Sequence, residues 1–146
     1  MATKEMSAHA VYAGGMRFDV TGGTGHTLIE DVSAADGGQD QGFRPMELLL
    51  VGLAGCTGMD VISILKKMRQ DVTGYEITVH GVRADTHPMY FVEVTVEHVV
   101  TGRGIDPQAV ARAIELSETK YCGVSNTLNA RAKLTATYRI VDAGAG

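Results

Sequence analysis

Apolar and polar residues alternate along several short segments, the pattern of strands with one buried and one exposed face. Residues 8–32 show this pattern between glycine-rich turn signals and predict short N-terminal strands. The same alternation recurs over residues 75–79, 90–100 and 134–140 and predicts three further strands. Residues 33–42 are polar and glycine-rich, which predicts a loop ahead of the next element.

The longest apolar segment runs from Arg44 to Gln70 and predicts a long helix. Its first half is apolar on every side, so this half is expected to be buried all round. Pro45 suits the first helical position, and basic residues close to Gln70 suit the negative end of the helix dipole. About 25 residues at 1.5 Å each give a rod of roughly 37 Å, which is longer than a small domain. The sheet of one domain is therefore not expected to cover this helix alone.

Gly52, Gly55 and Gly58 recur at every third position of the predicted helix. Each glycine costs about 1 kcal/mol in a helix interior, so a structural reason for them is expected. One explanation is that another backbone approaches the helix closely at these positions. The other is that the glycines simply fit beneath the sheet of the same chain.

A second helix is predicted from Asp106, a suitable N-cap, and Pro107, a suitable first residue. It ends near Tyr121–Gly123, and residues 125–129 suit one more short helical turn. Clustered strands with helices between them indicate an α+β fold with largely antiparallel sheets, and the length fits a single domain over residues 1–146. The inward-facing positions of the second helix are Val110, Ala113, Ile114 and Ser117.

The overall charge and the cysteine count exclude several function classes. A formal net charge of -4 and a pI near 5.7 give no general attraction to nucleic acid or to anionic lipid. Two cysteines are too few for a disulfide scaffold. The cysteines and histidines also lack the spacing of a zinc site, so no bound metal is expected.

Residues 48–65 are the one stretch that is apolar enough to suggest a membrane. Asp60 interrupts this stretch and Lys66 and Lys67 close it, which leaves an uncharged run shorter than the about 20 residues of a spanning helix. Residues 1–15 contain no apolar core followed by a cleavage site, so no signal peptide is expected. The prediction is a cytoplasmic protein without a membrane partner, and in that compartment thiols stay reduced unless chemistry oxidises them.

The two cysteines, Cys56 and Cys122, allow two interpretations when they are taken alone. Cys56 lies in the apolar middle of the long helix, where a thiol needs a neighbouring cation to become a thiolate. Cys122 lies at a helix junction, where backbone N–H groups can lower a thiol pKa. The residues alone therefore favour Cys122 as a nucleophile. The alternative is that both cysteines are small buried apolar residues that take part in no reaction.

Further residues carry a resemblance to a known family. Pro45 precedes Cys56 by eleven residues, and the second predicted helix ends in Tyr-Cys122-x-x-Ser125. Together with the paired valine strands between them, these features resemble the OsmC/Ohr family of organic hydroperoxide-handling proteins over nearly the whole chain. The run GCTGMDVISILKKMRQDV is more similar to a less characterised OsmC-like branch than to the two branches with well-defined peroxidase activity.

The resemblance implies a thiol peroxidase that reduces organic, lipid-like hydroperoxides without a bound cofactor or metal. Cys56 would attack the peroxide and become a sulfenic acid, which would condense with Cys122 to a disulfide. An external dithiol, typically a lipoylated protein, would reduce that disulfide. The resemblance also implies the OsmC-like fold, an intertwined homodimer with two long helices at its centre and the sheets outside. This agrees with a helix that one chain does not cover.

The resemblance also implies an arginine and a glutamate that hold the thiolate, and the candidates are Arg17, in the expected N-terminal strand region, and Glu47, on the long helix. An arginine stays charged and its donors can stabilise a sulfur anion, while the glutamate orients it. The plainer alternatives are an exposed strand residue for Arg17 and a helix-start charge for Glu47. Met46 stands where relatives carry the glutamate and Gly123 where many carry proline, which bears on rate and substrate more than on fold.

Spacing along the long helix also bears on the site. Glu47 precedes Cys56 by nine residues, roughly 13 Å along a helix, so it would act only through an arginine or from a partner's helix. Leu53, Met59 and Ile62 surround Cys56 at helical spacing and would favour peroxides with apolar tails, unless they are ordinary core residues. The alternative function is a dimeric stress-response or small-ligand-binding protein with weak or no peroxidase activity.

Overall fold

The computed structural model of the chain describes residues 4–144. They form two compact units, one of which ends at Leu48 while the other begins at Leu49. Each unit contains one three-stranded sheet, and helices lie between the strands in the predicted order. The predicted α+β class is confirmed, whereas a single domain over residues 1–146 stays a prediction.

The first unit is built on an antiparallel sheet in the order β1-β2-β3. Its strands are β1 Ala8–Tyr12, β2 Phe18–Gly22 and β3 Thr27–Glu30. A 3-10 turn, Ala34–Asp36, follows within the predicted loop. Every residue of β1 is exposed in the single chain, so regular strands form here without an enclosed apolar face.

Asp31 organises the loop that follows β3. Its carboxylate is buried and accepts hydrogen bonds from the backbone N–H groups of Val32, Gln39 and Gln41 at 2.8, 3.2 and 3.2 Å. Burial raises the pKa of Asp31, but these three donors and the charge of Arg44 lower it by more, so the net pKa lies below its usual value. An ionised side chain therefore holds both ends of the loop together.

The second unit is built on longer strands, β4 Asp71–Arg83, β5 Phe91–Arg103 and β6 Lys133–Asp142, in the order β4-β5-β6. β4 and β5 are antiparallel, whereas β6 runs parallel to β5. Antiparallel pairing dominates among the described strands, which confirms the prediction of largely antiparallel sheets. The parallel pair follows from the helices between β5 and β6, because a parallel neighbour needs a crossover connection.

The two main helices begin where the sequence indicated. Helix α1 extends over Pro45–Lys67 and starts at the proline. Helix α2 extends over Pro107–Leu116 behind Asp106, whose side chain accepts the N–H of Gln108 at 2.9 Å. This hydrogen bond satisfies one of the free donors at the helix start, as expected of an N-cap.

A wide turn joins α2 to the last helix. Residues Ser117–Tyr121 form a π-helical turn, closed by a hydrogen bond of 2.7 Å from the Cys122 N–H to the Ser117 carbonyl. Helix α3, Gly123–Leu128, starts directly after it. The sequence predicted a helix that ends near Tyr121–Gly123 and one more short helical turn after it. It did not predict the π geometry, in which a turn contains one residue more than in an α-helix.

One face of α1 contributes to the core of the second unit. Val61 and Leu65 are fully buried and form one apolar cluster with Val100 of β5 and with residues of α2. The four inward positions predicted for α2 are all buried, which confirms the period assigned to that helix: Val110, Ala113, Ile114 and Ser117.

A polar pair lies within the same sheet. His98 of β5 is 1% exposed, and the Tyr75 hydroxyl of β4 lies 2.6 Å from its Nδ1. Burial lowers the pKa of His98 from 6.5 to about 4 and raises the pKa of Tyr75. The histidine is therefore neutral in the folded protein at neutral pH.

The expectation that the first half of α1 is buried on every side is wrong for the single chain. Leu49 and Val51 expose 41% and 47% of their surface, and Met59 exposes 73%. The physical reason is that the second unit contacts only one face of the helix, through residues such as Leu53. The remaining apolar face of α1 is left open by the second unit.

The three glycines of α1 divide into two kinds. A Cβ at Gly58 would meet Ile77 Cδ1 at 2.6 Å, so this glycine makes room for the sheet. At Gly52 and Gly55, no atom among the described residues lies within 4 Å of such a Cβ. Fitting beneath the sheet thus accounts for Gly58, while Gly52 and Gly55 belong to the open face.

By length and composition alone, α1 is apolar enough to cross a membrane. The core helix of a water-soluble protein has the same character, and Val61 and Leu65 of α1 are enclosed by the second unit. The absence of a membrane partner stays a prediction.

Candidate functional site

The first cysteine of the predicted pair, Cys56, is a half-buried free thiol near the middle of α1. The adjacent positions Leu53 and Thr57 are buried, so Cys56 lies at the edge of the buried face of the helix. Of the apolar neighbours predicted around this thiol, Leu53 is part of the core whereas Met59 is 73% exposed. The helix itself therefore supplies an apolar wall on one side of Cys56 only.

The second cysteine, Cys122, is a fully buried free thiol at the N-cap of α3. The backbone N–H of Ser125 donates to Cys122 Sγ at 3.3 Å, and the Ser125 hydroxyl donates to the Cys122 carbonyl at 3.1 Å. The π turn before it and the helix start after it therefore fix the direction in which this thiol points.

The structure brings the two thiols together. Cys56 Sγ, Cys122 Sγ and a carboxylate oxygen of Asp60 all lie within 4.8 Å of one another. Both cysteines are free thiols, and a displacement of less than about 3 Å would bring the sulfurs to the disulfide bond length of about 2.05 Å. Residues sixty-six positions apart in sequence thus form one dithiol site.

Asp60 and two hydroxyl groups complete this site, and the sequence analysis missed their role. Ser117 Oγ donates to Asp60 Oδ2 at 3.0 Å, and Thr57 Oγ1 lies 3.0 Å from Ser117 Oγ. Thr57 and Ser117 are buried. A signal was present, because Asp60 follows Cys56 by four residues and so shares its helix face. In the sequence, Asp60 stands out only as a charge that interrupts an apolar run.

The pKa of Cys122 lies above its ordinary value. Burial is the largest cause, and the contact with Cys56 and a negative charge on Cys56 raise the pKa further. The hydrogen bonds from Ser125 act in the opposite direction and are outweighed. The expectation from the residues alone, that helix-start N–H groups lower the pKa of Cys122, is therefore wrong, while the identity of the nucleophile stays a prediction. Cys122 is held as a thiol.

Arg17 lies in the first unit, immediately before β2. Its Nε is 2.8 Å from Asp19 Oδ1, and its Nη1 donates to Gln41 Oε1 at 3.1 Å. The contacts described for this arginine are thus with the sheet and loop of its own unit. Its predicted action on Cys56 stays a prediction.

Glu47 lies in the first turn of α1. Its Oε1 accepts the backbone N–H of Arg44 at 3.1 Å. This bond satisfies a free donor at the helix start, as in the reciprocal half of a capping box. The plainer alternative, a helix-start charge, describes this contact, and the predicted role of Glu47 in orienting an arginine stays a prediction.

An open pocket of about 340 Å³ adjoins the dithiol site. Asp60 belongs to both, because it lines the pocket and its carboxylate lies within 4.8 Å of both sulfurs. The walls are mostly apolar and include one lysine. The other lining residues are Ser63, Ile64, Lys67, Met68, Leu116 and Tyr121.

The fold and the dithiol site define a class of α+β protein in which a long helix and a helix start each supply one thiol. Residues 38–137 match the family model described as OsmC-like protein. The chain therefore belongs to the OsmC/Ohr family, which confirms the family and the OsmC-like fold that the sequence motifs suggested.

Individual relatives agree with this assignment. The chain is 35% identical to Protein YhfA of Escherichia coli strain K12 over 138 residues, which cover 94% of this chain and all of that protein. A solved structure of a hypothetical protein from Aquifex aeolicus is 27% identical, with a TM-score of 0.85. The match covers 97% of this chain and 100% of that chain. The organic hydroperoxide resistance protein OhrB of Bacillus subtilis is 18% identical, with a TM-score of 0.65. The match covers 94% of this chain and 100% of that chain, and the two proteins share the same fold.

Proposed function

We propose that the protein has a redox role in the response to oxidative stress, as a thiol peroxidase that reduces organic hydroperoxides to alcohols. The observation that carries the proposal is the approach of Cys56 Sγ and Cys122 Sγ to within 4.8 Å. Membership of a family with organic hydroperoxide resistance proteins among its structural relatives supports the choice of substrate class.

In the first step, the Cys56 thiolate attacks the terminal oxygen of the hydroperoxide. The S–O bond forms as the O–O bond breaks, and the leaving alkoxide takes up a proton to become the alcohol. Cys56 is oxidised to a sulfenic acid while the peroxide is reduced. The half-buried Cys56 suits this step better than Cys122, which is fully buried and has a raised pKa.

In the second step, Cys122 attacks the sulfenic sulfur of Cys56. The S–S bond forms, and the hydroxyl group leaves as water with the proton of the Cys122 thiol. An external dithiol, such as a lipoylated cytoplasmic protein, then reduces this disulfide by thiol–disulfide exchange. The external dithiol becomes a disulfide, and both thiols of the protein are restored. The short distance between the sulfurs supports an intramolecular disulfide over one between chains.

The apolar pocket at Asp60 supports organic peroxides as substrates. Its apolar residues include Ile64, Met68 and Leu116, which can hold a hydrocarbon tail while the peroxide group points toward the thiols. Hydrogen peroxide has no such tail and gains nothing from these walls. We therefore expect an aryl or alkyl hydroperoxide to react faster than hydrogen peroxide.

The oligomeric part of the proposal is a homodimer formed through the open face of α1. Met59, Leu49 and Val51 are exposed on this face, and Gly52 and Gly55 have open space before them. Glycines allow close approach of a second helix, so the partner's α1 suits this surface. Light scattering should give twice the chain mass, and Met59→Lys should lower it. A monomer at micromolar concentration would contradict this part.

The central experiment is a thiol count with mass analysis before and after limiting cumene hydroperoxide. One equivalent should remove both thiols and form a Cys56–Cys122 disulfide within one chain. Cys56→Ser should abolish peroxide consumption, whereas Cys122→Ser should accumulate a sulfenic acid at Cys56 that a dimedone probe captures. Two titratable thiols after the treatment would refute the proposal.

A second candidate is a dimeric protein that binds a small apolar ligand and reduces peroxides weakly or not at all. The pocket beside Asp60 favours it, since an apolar cavity can serve binding without chemistry. The helix-start hydrogen bond of Glu47 favours it too, because it occupies the one carboxylate close to the position where the resemblance implies a glutamate for the thiol site. Retained thiols, together with a quenching of tyrosine fluorescence on ligand addition that Tyr121→Phe removes, would select this function.

A further inference from the structure

The dithiol site contains a third group that the peroxidase reaction does not use. Asp60 Oδ lies within 4.8 Å of both Cys56 Sγ and Cys122 Sγ, and the three atoms come from one helix and one helix start. Two thiolates and one carboxylate are a donor set suited to a thiophilic divalent cation such as Zn²⁺ or Cd²⁺. We propose that the reduced protein binds one such cation through Cys56, Cys122 and Asp60.

The distances fit a tetrahedral site after a small adjustment. Zinc–sulfur and zinc–oxygen bonds of about 2.3 and 2.1 Å place tetrahedral ligand atoms roughly 3.5–3.8 Å apart. Three atoms that already lie within 4.8 Å of one another need shifts of about 1 Å to reach this arrangement. Asp60 and Cys56 are four residues apart on α1, a spacing that turns both side chains to the same side of the helix.

The groups around the ligands hold two of them in place. The Ser117 hydroxyl donates to Asp60 Oδ2 at 3.0 Å, which leaves the other carboxylate oxygen free for a cation. The Ser125 N–H donates to Cys122 Sγ at 3.3 Å and supports a negative sulfur there. Outer hydrogen bonds of this kind orient metal ligands and are part of a working site.

A cation must reach the site from solvent, and its binding must release the protons of the thiols. The open pocket lined by Asp60 gives a cation access to the carboxylate from solvent, and the Cys56 residue is only half-buried. Binding displaces one proton from each thiol, so the reduced dithiol and M²⁺ give the dithiolate complex and two protons. No electron is transferred. Because both sulfurs then coordinate the cation, neither can attack a peroxide in the metal-bound form.

The spacing of the ligands in the sequence does not indicate this site, because it differs from that of a zinc motif. Cys122 lies sixty-six residues beyond Cys56, and the third ligand is a carboxylate within an apolar run. Only the turn between α2 and α3 brings the second sulfur to the first pair.

The test is a titration of the fully reduced full-length protein with Cd²⁺, in the absence of peroxide, after removal of the reductant. The expected result is one ion per chain, an ultraviolet thiolate-to-cadmium charge-transfer band of two-thiolate intensity and release of two protons. Cys56→Ser and Cys122→Ser should each halve the band or remove it. Binding of less than half an ion per chain, or no charge-transfer band, would overturn the proposal.

The variant Asp60→Asn tests the contribution of the carboxylate to cation binding while both thiols are kept. The amide oxygen can still accept the Ser117 hydroxyl, so the fold should be kept while the affinity for Cd²⁺ falls at least about tenfold. Glu115→Gln removes the same charge at an exposed position of α2, where Glu115 pairs with Arg112 at 3.3 Å, and should leave the affinity unchanged. Equal affinities for Asp60→Asn and the native chain would show that the carboxylate is not a ligand and would refute the three-residue site.

The outcome is independent of the peroxidase proposal, because the titration contains no peroxide. If Cd²⁺ binds and cumene hydroperoxide leaves both thiols intact, the peroxidase proposal alone fails. If peroxide forms the disulfide and Cd²⁺ does not bind, the metal proposal alone fails. With both correct, saturating Cd²⁺ should slow thiol oxidation by at least tenfold, and a chelator should restore the rate.

Discussion

The two compact units bury their side chains in different ways. Among residues 4–48 the one side chain that is fully buried is polar, Asp31, while Tyr12 and Phe18 expose 61% and 41% of their surface. The second unit encloses an apolar cluster in which Val61, Leu65 and residues of β5 and α2 are nearly inaccessible. One unit is organised by hydrogen bonds to a carboxylate and the other by close packing of apolar groups.

This difference shows which part of the fold one chain can support alone. A three-stranded sheet needs an apolar face packed on something to be stable in water. The second unit has this within its own residues, whereas the sheet of the first unit keeps its apolar side chains exposed in the single chain. A second copy of the chain, as in the proposed homodimer, is the cover that would supply the missing surface.

The largest effect is expected from Leu65→Ala in the apolar cluster. Leu65 is 0% exposed, so its truncation leaves a cavity and should lower the free energy of unfolding by about 2–5 kcal/mol. Val82→Ala on β4, where the side chain is 43% exposed, is the matched control and should cost much less. Urea unfolding monitored by circular dichroism measures both. Equal losses would contradict the view that this cluster stabilises the second unit.

A somewhat smaller effect on the free energy of unfolding is expected from the protonation of His98, and this effect depends on pH. Because the folded-state pKa of about 4 lies below the ordinary 6.5, the unfolded chain binds the additional proton as the pH falls. The contribution of neutral His98 is complete above about pH 6.5 and is lost progressively down to about pH 4. The shift corresponds to about 3 kcal/mol in the free energy of unfolding.

The check is a series of unfolding curves between pH 7 and pH 4 for the native chain and for His98→Gln. Glutamine retains a hydrogen-bonding group for Tyr75 and cannot titrate, so the variant should lose less stability over this interval. His80→Gln, an exchange at an exposed strand position, is the control and should follow the native curve. Parallel curves for the native chain and His98→Gln would refute the assignment.

The smallest and most local effect is expected in the first unit, from Asp31→Asn. The carboxylate accepts three backbone N–H groups with its two oxygens, whereas an amide offers one oxygen, so part of these bonds is lost. Hydrogen exchange of the amides of Gln39 and Gln41 should accelerate, and amides of β5 should not change. Asp36→Asn in the same loop is the control. Unchanged exchange at Gln39 and Gln41 would show that Asp31 does not hold the loop.

The sequence predicted the elements that local chemistry determines. Pro45 and Asp106 set the starts of α1 and α2, and the period of Val110, Ala113 and Ile114 gave the buried face of α2. These features were predictable because each depends on a few adjacent residues, through a fixed dihedral angle, a capping side chain or a helical repeat.

The features that failed or went unnoticed depend on distant contacts. The helix-start effect on Cys122 was correctly located, but burial by the rest of the second unit outweighs it. Asp60 was visible as a charge in an apolar run, yet its place beside both sulfurs depends on where the chain returns after α2. Likewise, the parallel direction of β6 follows from the whole crossover, which no pattern within the strand encodes.

The π turn at Ser117–Tyr121 has a consequence for how this chemistry can be lost. One residue removed from it would be absorbed by ordinary helical winding, because five residues of a π turn and four of an α-helix turn the chain through nearly the same angle. One residue removed from the regular helix α2 would instead rotate all that follows by roughly 100°. Among descendants of this chain, a single-codon deletion in α2 would therefore silence the dithiol while every sulfur remained in the gene, whereas the same deletion in the π turn would spare it.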